Sequence, residues 1–114
     1  MRLSFRDFDR LEHILEIIAH IRRRLTGVSE AKFLSDIDEI DLTAFRLSVI
    51  GEAVSKLGED VKSRHPQIDW HGIYAMRNVI AHDYQSIKAQ RVWDAAQIDL
   101  DPLAEVCRAE LGQG

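Results

Sequence analysis

The segment Phe8-Asp9-Arg10-Leu11-Glu12-His13-Ile14-Leu15-Glu16-Ile17-Ile18-Ala19-His20-Ile21-Arg22-Arg23-Arg24-Leu25 decides the fold class. Leu11, Ile14, Leu15, Ile18, Ile21 and Leu25 recur at i, i+3, i+4 and i+7, which puts one apolar stripe on one face of a helix. Ser4 or Asp7 is placed to cap its start. Gly27 sits where a left-handed residue ends a helix. The same periodicity recurs along the rest of the chain.

Ser29 to Leu34 reads as a short helical piece. A long helix follows from near Asp38 or Asp41 to Leu57, with Leu42, Phe45, Val49, Ile50, Ala53 and Leu57 as its apolar face and Gly58 as its stop. A weak turn, Glu59 to His65, ends before Pro66, because the residue before a proline is biased away from helix. Asp69 reads as the N-cap of a helix through Trp70, Ile73, Tyr74, Met76 and Ile80. The last helical region begins near Ser86 or Ile87 and keeps Val92, Trp93, Ala96, Leu100, Leu103, Cys107 and Leu111 on one face. Pro102 removes an N–H there, which predicts a kink or a restart capped by Asp99 or Asp101. No segment alternates as a strand does. The expected fold is all-α: an up-down bundle of four long helices with one or two short ones, residues 1–114 forming one domain.

Composition narrows the class. Of the 114 residues, 46% are apolar and 30% charged, the profile of a globular chain rather than a disordered one. No apolar run reaches the roughly 18 residues of a membrane span. The N-terminus lacks the apolar core of a secretory signal. One cysteine, Cys107, excludes an internal disulfide. A cytoplasmic protein with no membrane partner is expected. The net charge of −4 argues against gripping nucleic acid through the whole surface. A local cationic cleft is compatible with it.

Two arginines fall on apolar faces. Arg46 lies within the stripe of Leu42, Val49, Ile50, Ala53 and Leu57, and Arg77 lies between Ile73 and Tyr74. A charge there is costly unless paired. Each therefore holds the bundle through a buried carboxylate, works chemically, or meets a second subunit. His13, Glu16 and His20 have the spacing of a metal stripe but lie opposite the apolar face, so they read as solvated surface and no metal site is expected. Arg22-Arg23-Arg24 suits the last turn of a helix, and RNA backbone contact is the alternative.

The stretch that carries chemistry is Arg77-Asn78-Val79-Ile80-Ala81-His82-Asp83-Tyr84. Within about two helical turns it offers a permanent planar cation, an amide, an imidazole and a phenol. A cation beside a proton shuttle is the minimum equipment for moving a phosphoryl group on RNA without a metal. Each residue also has a plainer reading: a histidine at a helix C-terminus favours the macrodipole, and a tyrosine packs with its hydroxyl in water. The pattern Arg-polar-x3-His-x-Tyr resembles the signature of the HEPN superfamily, and more closely its HepT-like toxin branch. Ala44-Phe45-Arg46-Leu47-Ser48-Val49-Ile50-Gly51-Glu52-Ala53 resembles the helix that precedes the signature. His65-Pro66-Gln67-Ile68-Asp69-Trp70 resembles the approach to it, and Val92-Trp93-Asp94 the start of the final helix. The likeness covers about residues 40 to 105.

That resemblance implies a metal-independent endoribonuclease without a cofactor, acting as the toxin of a toxin–antitoxin pair on an RNA such as tRNA or mRNA. It implies a homodimer with the cleft on its two-fold axis. The implied partner is an MntA-like nucleotidyltransferase antitoxin that transfers AMP to Tyr84. Arg77 and His82 are the expected catalytic pair. Asn78 is a supporting residue, Arg46 and Glu52 are supporting or structural, and Tyr84 is an RNA contact as well as the modified group. The alternatives are a non-catalytic substrate- or nucleotide-binding subunit of a nucleotidyltransferase, and a purely structural dimeric bundle.

Overall fold

A computed structural model describes residues 3–112; Met1, Arg2, Gln113 and Gly114, part of the expected domain, lie outside it. Every regular element among the described residues is helical: α1 (Phe5–Leu25), α2 (Glu30–Leu34), α3 (Ile37–Ser55), α4 (Glu59–Arg64), α5 (Trp70–His82), a 3-10 turn (Tyr84–Ser86), α6 (Ala89–Asp94), a π-helical turn (Ala95–Asp99) and α7 (Leu100–Glu110). This is the all-α bundle that the periodicity predicts. Among the described residues no helix is long and apolar enough to cross a membrane.

Local chemistry fixes the helix ends. The Ser4 hydroxyl accepts from the Asp7 N–H at 3.0 Å, Ser29 from Lys32, Asp36 from Glu39 and Asp69 from Gly72. Each such cap stabilises its helix by about 1 kcal/mol. Gly27 adopts φ 78°, a left-handed conformation that lets the chain leave α1. The core joins Leu11, Ile14, Ile18 and Ile21 of α1 to Phe33, then to Ile50 and Val54 of α3, and to Leu103 and Cys107 of α7. Asp7 is buried as well, where it accepts from the Gly58 N–H at 3.0 Å and ties the start of α1 to the N-cap of α4.

The structure corrects three details of the sequence reading. Asp36 starts α3, earlier than Asp38 or Asp41, and α3 ends at Ser55 before Leu57. The buried face of α3 is Ile40, Thr43, Ala44, Leu47, Ile50, Gly51, Ala53 and Val54. Leu42 and Val49 are only half-buried, and Phe45 is 63% exposed. The one-stripe reading fails because α3 packs on α1 along one side and on α5 along another. Finally, of the expected kink or capped restart, the restart is absent: Asp99 makes no side-chain cap at the start of α7. Pro102 offers no N–H to the Ile98 carbonyl, and the preceding residues widen into the π turn Ala95–Asp99 instead. With the helix continuous, the carboxylates expected to cap it are free for arginines: Asp99 pairs with Arg91 at 2.9 Å, and Asp101 pairs with Arg22.

Candidate active site on α3 and α5

Gly51 brings α5 against α3. A Cβ on Gly51 would lie 2.5 Å from the Arg77 Cβ and 3.2 Å from the Ile73 carbonyl oxygen, so no larger residue fits this crossing. A glycine inside a helix costs about 1 kcal/mol relative to alanine, a signal of close approach that the sequence reading did not use.

With its backbone held there, Arg77 extends along α3. Its guanidinium forms an ion pair with Glu52 at 2.9 Å, donates to the Asn78 amide oxygen at 2.9 Å, and lies 5.9 Å from the centroid of the Tyr74 ring. The side chain remains 25% exposed. Arg77 is therefore a fixed cation with an open face, and the expected supporting residues Glu52 and Asn78 both touch it. Tyr74, which the sequence presented only as a helix residue, adds an aromatic face suited to a guanidinium.

His82 closes α5, five residues beyond Arg77 and so about 7.5 Å further along the axis. It is exposed, and its imidazole has no hydrogen-bond partner among the described residues. Asp83 caps the helix by donating its N–H to the Val79 carbonyl at 2.8 Å, and its carboxylate accepts from the Ser86 hydroxyl at 2.5 Å. That turn points Tyr84 back to α3, where its hydroxyl donates to Asp41. Burial and then the Asp41 carboxylate push the Tyr84 phenol up to about 12, so it is protonated at neutral pH. Asp41 entered the sequence reading only as a helix start. Its partnership with a tyrosine 43 positions away leaves no trace in local sequence.

Arg46 stands apart from this group. It is half-buried and donates to the His20 carbonyl of α1 at 3.4 Å, so a backbone carbonyl is the partner recorded for it rather than a carboxylate. The cationic run of α1 is largely engaged too: Arg22 with Asp101, and Arg24 with both oxygens of Glu39 at 2.8 and 3.1 Å through Nε. Among the described residues no group of three His, Cys, Asp or Glu side chains is placed to hold a metal ion.

The helix α5 contains no buried residue, although Ile73, Met76, Val79 and Ile80 line it. On it, Tyr74 is 37% exposed; beyond its end Tyr84 is 38% exposed, and Phe45 of α3 projects one turn beyond Asp41. The elements that carry the signature thus present an incompletely covered apolar face.

These features sit in a chain whose residues 14–110 match the model of the family described as ribonuclease HepT-like. The chain belongs to the HepT-like ribonuclease family. It is 30% identical over 84 residues to "Putative RNase TTE0752" of Caldanaerobacter subterraneus subsp. tengcongensis, covering 74% of this chain and 75% of that one. It is 29% identical over 103 residues to "Probable ribonuclease HepT" of Thermococcus cleftensis, covering 90% and 92%. A "Putative RNase MJ0127" of Methanocaldococcus jannaschii is 32% identical over 87 residues, 76% of this chain and 69% of that protein. No solved structure gave a significant match.

Proposed function

We propose that this chain is a metal-independent endoribonuclease that cuts RNA through its own 2′-hydroxyl. The observation that carries the reading is the pairing, on one helix, of a guanidinium fixed by Glu52 and Asn78 with an exposed imidazole that no described side chain engages. The 2′-oxygen attacks the adjacent phosphorus, the bond to the 5′-oxygen breaks, and a cyclic phosphate forms. One imidazole removes the 2′ proton and another protonates the leaving 5′-oxygen. Arg77 stabilises the charge on the pentavalent phosphorus. One chain supplies one signature histidine, so the acid and base come from two copies of His82 across a two-fold axis. The uncovered apolar face on α5 and Phe45 supports that homodimer.

The chain is, on this reading, the toxin of a type VII-like toxin–antitoxin pair, silenced by an MntA-like nucleotidyltransferase that adenylylates Tyr84. The Tyr84 oxygen attacks the α-phosphorus of ATP, pyrophosphate leaves, and Asp41 is already hydrogen-bonded to the proton that must depart. The added phosphate puts bulk and negative charge at the end of α5 two residues beyond His82, where it competes with RNA.

End-group analysis tests the cleavage chemistry. The products carry a 2′,3′-cyclic phosphate and a 5′-hydroxyl, and a single 2′-deoxy substitution at the cut nucleotide blocks cleavage there. Products with 5′-phosphates contradict the mechanism. Nucleotide binding without any turnover supports the binding-subunit alternative.

A further inference from the structure

Glu52 does more than hold Arg77. On its other side it meets the Lys56 ammonium at 3.6 Å, so one carboxylate sits between two cations. Arg10 of α1 donates to the Lys56 carbonyl at 2.8 Å and keeps Asp7 at 3.9 Å, which brings a third cation, with one carboxylate beside it, to the same place. Arg10, His13, Val49, Glu52, Ala53 and Lys56 line a cleft of about 330 Å³ along the α1–α3 seam. Glu52 is the one carboxylate in that lining. About two turns further along α1, Arg46 reaches the His20 carbonyl across the same seam. A chain with a net charge of −4 therefore gathers cations in one strip that begins at Arg77.

We propose that this α1–α3 cleft is a phosphate-binding track for the RNA strand leading away from the scissile bond, with Lys56 and Arg10 as its principal contacts and His13 as a third. The proposal rests on the ribonuclease reading and deepens it. Glu52 occupies the track when RNA is absent, because a carboxylate between two cations imitates a phosphate. An arriving strand exchanges Glu52 for phosphate oxygens at Lys56, and this costs little because the Lys56 side chain is 57% exposed.

Fluorescence anisotropy with a labelled single-stranded 2′-O-methyl RNA, which lacks the attacking hydroxyl, measures binding without cleavage. Each phosphate contact on a single strand contributes about 0.7 to the slope of log affinity against log salt. Arg10→Gln with Lys56→Gln flattens that slope by about 1.4, while Lys32→Gln, a charge removed from α2, leaves it unchanged. Lys56→Gln with His13→Gln, which spares the Arg10 bonds, flattens it in the same direction. An unchanged slope in proteins that still cleave ordinary RNA overturns the track and leaves the ribonuclease reading standing. Absence of both binding and cleavage in the wild type overturns both. If light scattering shows the variants dissociating in step with their loss of binding, the strip is an interface between copies and the proposal falls.

Discussion

The ion pair of Glu52 and Arg77, closed at 2.9 Å across α3 and α5, fixes the one signature cation at the point where glycine lets the two helices touch. Removing that cation should stop the chemistry without unfolding the bundle, since Arg77 is 25% exposed and outside the core. Arg77→Ala is expected to lower single-turnover cleavage by about 10²-fold or more, the usual cost of losing a preorganised charge stabiliser. Arg77→Lys should recover little, because an ammonium cannot keep planar contacts to Glu52 and Asn78 together. Circular dichroism and light scattering check that fold and oligomeric state persist.

Gly51 makes the same crossing testable through stability. Gly51→Ala sets a methyl 2.5 Å from the Arg77 Cβ. Overpacking of this kind costs about 1–3 kcal/mol, despite the better helix propensity of alanine. Thermal unfolding should show a lower Tm, and cleavage should fall with it as Arg77 is displaced. A Tm equal to or above that of the wild type would mean that α5 sits farther from α3.

Acid stability should report a clasp between α4 and α7. Glu110 of α7 meets Arg64 at 2.6 Å and His65 at 2.5 Å, and its hydrogen bond to Arg64 outweighs burial to hold its carboxyl down at about 2. A carboxylate with a depressed folded-state pKa stabilises fully above its ordinary value near 4.5 and loses that contribution as pH falls toward 2. The Tm should therefore drop across that window, and Glu110→Gln should remove part of the drop while lowering the Tm at neutral pH. The wild-type and variant curves running parallel would show that the clasp does not act in solution.

Tyr84 offers the sharpest test of the regulatory reading. Tyr84→Phe deletes the hydroxyl that donates to Asp41 and, on the proposed reading, should escape adenylylation and keep its activity beside a nucleotidyltransferase. Intact mass after incubation with the nucleotidyltransferase and ATP reads this directly. Added AMP on the phenylalanine variant would assign the modification to another residue.

Much of this architecture was legible in the chain. The α1 stripe of Leu11, Ile14, Ile18 and Ile21 is buried as its spacing required, and Ser4, Gly27 and Asp69 end helices where cap chemistry put them. The face of α3 was not legible. Residues there are apolar nearly all round because several neighbours share the helix, and a single wheel cannot say which neighbour takes Phe45. At the site, the signature named Arg77, Asn78, His82 and Tyr84, and the preceding helix supplied Glu52. Asp41 and Tyr74 needed the tertiary structure, since a carboxylate or a ring is too common to stand out before its partner is known. The π turn before Pro102 was half visible: the proline announced a disturbance, but not whether the helix would break or widen.

The most direct test of the central claim is cleavage of total cellular RNA by the unmodified protein in excess EDTA, beside His82→Ala. The account predicts cleavage by the wild type alone, with the variant folded, of the same oligomeric state and slower by about 10²–10⁴-fold, the usual worth of a proton-transfer group. Equal cleavage by both proteins, or wild-type activity that EDTA abolishes and a divalent metal restores, would contradict it.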